Sequence, residues 1–453
     1  MKEKTICAIS TPIGNGGISI VRMSGENSKQ ILQSITTFET TKMEPRKLYL
    51  ANIKTQNFND QALVVWFKAP FSYTGEEMVE IQCHGGIVIA NGILHTLIKN
   101  GCTLAESGEF TKRAFINGKI SLDKAEGIID MINAQSEQAV KSGFDLLSGK
   151  LKDDVKKIQD DLTLCQAQIE VAIDYPEEDV AKSTLEEVKQ IVNKNNKKIE
   201  NLLNTVATGK LVKNGINVLI LGKPNAGKSS LLNALLGYDR AIVSSIEGTT
   251  RDTVEESFVY HNMNFNLIDT AGIRDADNLV EQIGIERAKA NIEKADIILV
   301  VLDASKALEE QDQQILRMTQ NKNRIVVINK IDSKNEENYI KNIKINLKSI
   351  DFIEISATQK TNLENLKQKI FDNVVDKNML SSGLVITNTR HADALERAHS
   401  SLIDALNEID NQTPFDLLIM SIKEAWLALG EITGENSNEA IINTIFEKFC
   451  VGK

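Results

Sequence analysis

The chain has 453 residues, 42% of them hydrophobic and 25% charged, with a formal net charge of −10 and a pI near 5.3. That length exceeds one ordinary core and predicts two to four domains of ~100–200 residues each. The acidic balance argues against a wide nucleic-acid-gripping face or adhesion to anionic membranes, and no run approaches the ~20 apolar residues that span a bilayer.

In chain order, residues 1–118 alternate short strands with turn signals. Gly16–Arg22, Ala62–Phe67 and Met78–Gln82 read as strands, with glycine-rich breaks at Gly14–Gly17 and His84–Gly86. From Ser121, a candidate N-cap, apolar residues recur at three- and four-residue spacing as far as Ile173. That is too long for one ordinary helix and predicts several helices or a long hairpin. A break at Asp174-Tyr-Pro176 precedes a charged helix from about Thr184 to Thr208, so residues 119–214 form a first helical part. Residues 215–376 are an α/β module, and 377–453 are helical again, with breaks at Asn411–Pro414 and Gly430–Gly434. The fold class expected is multidomain α/β: an N-terminal α+β domain, an all-α helical bundle, and a Ras-like P-loop module inserted into that bundle. Cys7, Cys83, Cys102, Cys165 and Cys450 form no C-x-x-C pair. With no signal-peptide pattern at the start, this predicts a reduced, cytoplasmic protein without disulfides or zinc.

The α/β module carries the clearest chemistry. Gly222-Lys-Pro-Asn-Ala-Gly-Lys-Ser229 matches the phosphate loop G-x-x-x-x-G-K-[ST], with the strand-like Ile216–Leu221 before it and the helix-like Ser230–Leu236 after it. Backbone amides from Asn225, Ala226 and Gly227 through Ser230 cradle phosphate oxygens, Lys228 reaches the outer phosphates, and the Ser229 hydroxyl ligates Mg²⁺. Downstream, Asn329-Lys330-Ile331-Asp332 ends another strand. Its Asp332 carboxylate accepts from the N1–H and exocyclic amine of guanine, a pairing that adenine does not offer. Ser356-Ala357-Thr358 ends a third strand and backs the base, while Asp269-Thr270-Ala271-Gly272 supplies a carboxylate to the Mg²⁺ shell and an amide to sense the γ-phosphate. Four motifs at successive strand ends fit the ligand site of an open α/β sheet, and the predicted nucleotide is GTP.

Hydrolysis needs a further group. Many regulatory GTPases place a water-orienting Gln just after Gly272, where this chain has Ile273. The nearest carboxylates for that task are Asp275, Asp277 and Glu281. Inside the phosphate loop, the Asn225 amide oxygen can ligate a monovalent cation. The segment Ser244, Ser245, Ile246, Glu247, Gly248, Thr249, Thr250, Arg251 can wrap over the same ion with carbonyls and hydroxyls, with Thr250 closing onto Mg²⁺. Such a cation stands where an arginine finger would otherwise neutralise developing charge.

Several runs outside the module carry a family resemblance: Ile20-Val-Arg-Met-Ser24 followed by Gly25, Ser72-Tyr-Thr-Gly-Glu-Glu77, His84-Gly-Gly86, Ser107-Gly-Glu-Phe-Thr-Lys-Arg-Ala-Phe115, Gly248-Thr-Thr-Arg-Asp252 and the terminal Phe449-Cys-Val-Gly-Lys453. Across its whole length the chain resembles the MnmE (TrmE) family of GTPases that modify the wobble uridine of certain tRNAs. One departure is Ser107, where the family commonly has Pro. The resemblance implies Glu281 as the catalytic group, and potassium held by Asn225, Ser244, Ile246 and Thr249. It implies an N-terminal domain that dimerises and binds a 5-formyl or 5,10-methylene tetrahydrofolate through Arg22, Glu80, Lys119 and the C-terminal Lys453. Cys450 and Arg251 are implied near the substrate. The implied partner is the FAD-carrying MnmG (GidA), which would hold most of the tRNA and form a heterotetramer with a homodimer of this chain. The product would be an aminomethyl or carboxymethylaminomethyl group at C5 of that uridine. The alternatives are a ribosome-assembly GTPase switch, disfavoured by the acidic balance, and a dynamin-like membrane GTPase, for which no basic amphipathic helix is present.

Overall fold

A computed structural model of the chain describes residues 4–174, 178–237, 256–268, 289–333, 341, 343, 350–377, 383–436 and 438–453. The chain packs as two compact units, one of Met1–Ile129, Leu146–Leu164 and Lys423–Lys453, the other of Asp130–Asp145 and Cys165–Ile422.

The first unit is built on a six-stranded sheet of β1 (Ile6–Ile9), β2 (Ile18–Ser24), β3 (Leu48–Lys54), β4 (Asn59–Phe67), β5 (Met78–His84) and β6 (Thr103–Leu104). Its order is β3-β4-β5-β2-β1-β6, antiparallel except where β6 lies parallel to β1. Alternation along the strands sends Val21, Met23, Val64, Val79 and Ile81 into a core with Ile31 and Leu32 of α1 (Ser28–Ile35) and Ile93 and Leu97 of α2 (Ile87–Lys99). The same period-2 rule puts Arg22 on the opposite face, directly across from Glu80 in the β2–β5 register. That face also exposes Leu48, Leu50 and Leu63. Neither α1 nor α2 stands out among the strand and turn signals, because each lies between two strands.

The second unit holds a six-stranded sheet ordered β12-β11-β10-β7-β9-β8, from β7 (Ile216–Leu221), β8 (Glu256–Tyr260), β9 (Met263–Ile268), β10 (Ile297–Asp303), β11 (Arg324–Asn329) and β12 (Phe352–Glu354). All neighbours are parallel except the β8–β9 hairpin, whose two turn residues His261 and Asn262 both have positive φ, as a type I′ hairpin turn requires. Apolar clusters cover both faces of this sheet, which explains the unbroken runs such as Ile-Ile-Leu-Val-Val-Leu in β10.

The helices outside the sheets are α3 (Glu109–Ile116), α4 (Leu122–Asn133), α5 (Glu137–Ser148), α6 (Lys150–Asp174), α7 (Glu178–Asn204) and α8 (Val206–Asn214). Around the second sheet lie α9 (Lys228–Leu236), α10 (Glu310–Met318) and α11 (Leu363–Val374), followed by α12 (Thr389–Asp410), α13 (Phe415–Thr433) and α14 (Glu439–Phe446). Along α6 the buried apolar residues are Leu151, Val155, Ile158, Leu162, Cys165, Ile169 and Ala172, a strict four-three alternation. The same spacing recurs in α12 (Leu395, Ala398, Leu402, Ala405, Ile409) and α13 (Leu418, Ile422, Ala425, Leu429, Ile432). A 3.5-residue period is the signature of a coiled-coil-like bundle seam.

Two expectations change. The charged helix α7 begins at Glu178, ahead of Thr184. Gly430 does not break its helix: α13 runs on to Thr433, and the turn comes at Gly434, where φ is +93°. Gly430 is instead a contact glycine, because a Cβ there would lie 2.5 Å from Asn436 Nδ2.

Candidate functional site: a nucleotide pocket and a basic cavity

The phosphate loop leaves β7 and enters α9, whose N-cap is Gly227 at φ +94°. A Cβ on Gly227 would stand 2.2 Å from Asn329 Nδ2, and one on Gly222 would stand 2.6 Å from the Val301 carbonyl. Only glycine fits either position. Asn329 clips the loop to its neighbours: its Nδ2 donates to the Ala226 carbonyl at 3.2 Å, and its Oδ1 accepts from the Ala357 amide at 3.0 Å. The Asn-Lys and Ser-Ala-Thr motifs and the phosphate loop are thereby locked together. Lys330, at φ +68°, donates to the Asn225 carbonyl and to Asp303 Oδ2, both at 2.6 Å. Burial pushes the Asp303 carboxyl up, but hydrogen bonds from Lys330 and Ser305 outweigh it and hold the group below its ordinary value.

Lys228 donates to the Gly222 and Lys223 carbonyls, both at 2.9 Å, and burial pushes its ammonium down. A phosphate would relieve that burial cost by supplying counter-charge. Ser229, Ser230, Asp332 and Thr358 are exposed around this pocket, and Ser356 is buried beneath it. Asn225 is also exposed, at φ +64°. Ser244, Ser245, Ile246, Glu247, Gly248, Thr249, Thr250, Arg251, Asp269, Thr270, Ala271, Gly272 and Glu281 lie outside the described residues. Sequence reasoning missed Asp303, although it ends β10 at the level where the other motifs end theirs. It also missed Lys223, whose buried ammonium donates to Asp312 Oδ2 at 2.9 Å and so ties the loop to α10.

In the other unit, Arg22, Glu80, Lys119 and Lys453 line one cavity of about 670 Å³, walled further by Arg46, Phe67, Phe71 and Tyr73. Arg22 Nη2 donates to Glu80 Oε1 at 2.8 Å, and its Nη1 donates to the Gly452 carbonyl at 3.2 Å. The Ser10 hydroxyl donates to the same carbonyl at 3.0 Å, and Val451 bridges to Ser107. Gly452, at φ +93°, has no room for a side chain, since a Cβ would lie 2.2 Å from the Ile9 carbonyl. The C-terminal tail is thus clasped against the first sheet and brings Lys453 to the cavity. Arg22 Nε is buried with no hydrogen-bond partner among the described residues, a donor the protein itself leaves unsatisfied. Lys119 Nζ donates to the Pro70 carbonyl at 2.9 Å, and Cys450 is exposed and unpaired by disulfide. Arg46, Phe71 and Tyr73 were not foreseen, because only the folded sheet brings them beside Arg22.

A parallel sheet whose strand ends converge on a phosphate loop and an Asn-Lys-x-Asp motif defines the second unit's module as a P-loop GTPase. Comparison with known proteins narrows this. The family model for the GTP-binding protein TrmE N-terminus matches residues 5–119, and that for the MnmE helical domain matches residues 122–450. The tRNA modification GTPase MnmE of Clostridioides difficile (strain 630) is 42% identical over 458 residues, covering 100% of this chain and 99% of that protein. The protein of the same name from Alkaliphilus metalliredigens (strain QYMF) is 41% identical over 459 residues, again covering 100% and 99%. Among solved structures, the translation elongation factor SelB of Methanococcus maripaludis is 23% identical, covers 38% of this chain and 35% of that one, and has a TM-score of 0.27. The chain belongs to the MnmE family of tRNA modification GTPases. Among the described residues no helix is long and apolar enough to cross a membrane.

Proposed function

We propose that this GTPase works with the FAD-carrying MnmG to install an aminomethyl-type group at C5 of the wobble uridine of certain tRNAs, in the cytoplasm. The observation that carries this reading is the convergence of Arg22, Glu80, Lys119 and Lys453 on one cavity. A pterin edge presents adjacent N–H donors that suit the Glu80 carboxylate, which Arg22 holds in place, and the acidic tail of a reduced folate suits a lysine such as Lys119. Phe67, Phe71 and Tyr73 offer the apolar walls that a flat heterocycle fills. The bound tetrahydrofolate would supply the one-carbon unit. The chain's own residues hold and orient it, and the clasped tail carries Lys453 and the exposed Cys450 to the same end of the unit.

The GTPase half runs with Mg²⁺ at Ser229 and Thr250 and potassium at Asn225, Ser244, Ile246 and Thr249, with Glu281 positioning the attacking water. Asn225 fits that role in being exposed and left-handed at a turn of the phosphate loop. The chain acts as a homodimer through the sheet face that exposes Leu48, Leu50 and Leu63, and tRNA is held mostly by MnmG. The test is reconstitution of the chain with MnmG, tRNA, GTP and reduced folate in potassium buffer, read by nucleoside mass spectrometry. Modification should require the folate; an undiminished product without it would overturn the reading.

A further inference from the structure

A second cavity of about 250 Å³ is walled by Lys119, Lys124 and Lys152 together with Ser121, Gly434 and Glu435. Lys119 also lines the 670 Å³ cavity, so the two share a wall. Three lysines and a single glutamate line it, in a chain whose net charge is −10. Neither Lys124 nor Lys152 has a carboxylate partner among the described residues. The Ser121 hydroxyl is buried and has no hydrogen-bond partner among them either.

The placement of the two lysines is costly in itself. Lys124 is the third residue of α4 and Lys152 the third of α6, so each sits in a helix's first turn, where the dipole disfavours a cation. The backbone makes room for the first of them. Gly149, at φ +91° just before α6, would carry a Cβ 2.9 Å from Lys124 Cε and 3.1 Å from its Nζ. Two helix starts and three lysines around one hollow, with an unsatisfied hydroxyl buried beside them, are the parts of an anion site.

We infer that this hollow receives the γ-linked oligoglutamate tail of the folate whose head occupies the larger cavity. The inference rests on the folate reading above. A ligand that fills the larger cavity and leaves it past Lys119 meets Lys124 and Lys152 next. A chain of carboxylates is the extension of a reduced folate that such a surplus of cations recognises.

The test is isothermal titration of the full chain with 5-formyltetrahydrofolate in its monoglutamyl and pentaglutamyl forms. The wild type should bind the pentaglutamyl form on the order of tenfold more tightly, the sum of several solvent-screened charge pairs. That gap should close in the Lys124→Gln/Lys152→Gln double variant and narrow in the wild type as salt is raised. Equal affinities in the wild type would overturn the tail site and leave the folate reading standing. A gap that survives the double substitution would also overturn the assignment to these lysines, and so would a gap indifferent to salt, should the variant not fold. Binding of neither form would remove the folate reading, and this one with it.

Discussion

Removing the Asp312 carboxylate should cost the GTPase module more than any exposed charge, because it strands a buried ammonium. The Lys223 and Asp312 side chains are only 7% and 2% exposed and meet at 2.9 Å. Asp312 Oδ2 also accepts from the Glu309 amide at 3.0 Å, closing the capping box that starts α10. Breaking a buried pair from one side costs about 3–5 kcal/mol, and losing the cap about another 1 kcal/mol. Glu309 remains 3.4 Å from Lys223 but is 59% exposed, so it recovers only a screened fraction. The expected loss for Asp312→Ala is therefore about 3 kcal/mol or more, which at an m-value near 2 kcal/mol/M moves the urea midpoint down by roughly 1.5 M. Both tryptophans, Trp66 and Trp426, lie outside this module, so the transition is best followed by far-UV circular dichroism. GTP affinity should fall as well, since the Lys223 carbonyl is one of the two that hold Lys228. Replacing both partners, as Lys223→Met with Asp312→Leu, should recover most of the stability. A loss below about 1 kcal/mol for Asp312→Ala, or no recovery in the double variant, would refute this use of a desolvated pair.

Gly452→Ala drives a Cβ to 2.2 Å from the Ile9 carbonyl at a φ of +93°. It should release the C-terminal tail and lower the stability of the first unit by about 1–3 kcal/mol; an unchanged melting temperature would contradict the clasp. Hydrolysis of GTP should be faster in potassium than in sodium, and Asn225→Ala should abolish the difference. Equal rates in both salts would sink the cation role, and Glu281→Ala should slow turnover while leaving nucleotide affinity nearly intact. Asp303 is held below its ordinary 3.8, so its contribution is fully present above that value and is lost as pH falls through the lower folded one. An acid melt should accordingly be shallower in Asp303→Asn than in the wild type, and superimposable curves would show that the Lys330 pair stabilises nothing.

How much of this was legible depends on the range of the interactions involved. Ile216–Leu221 was readable as a strand because parallel strands buried on both faces are continuous apolar runs, and its limits match β7. Helix α9 begins two residues earlier than its apolar pattern, because the Gly227 N-cap lets Lys228 and Ser229 form the first turn. Gly430 misled because a glycine usually punctuates, whereas here it lies inside α13 against the Asn436 and Gln159 side chains. Arg22 and Glu80 carry no local signal as a pair: they stand 58 residues apart, and only the β2–β5 register sets them opposite each other. The clasp of Gly452 by Ser10 spans 442 residues, a distance over which no periodicity speaks. Lys223 and Asp312 escaped for the same reason, being a charge inside a motif and an acid in a helix's first turn.

The most direct measurement is equilibrium binding of 5-formyltetrahydrofolate to the purified chain, with Arg22→Met beside the wild type. One molecule per chain should bind saturably, and the substitution should weaken it about ten- to a hundredfold, the worth of a hydrogen bond to a charged group. No saturable binding to the wild type, or equal affinity in Arg22→Met, would contradict a folate site built on Arg22 and Glu80.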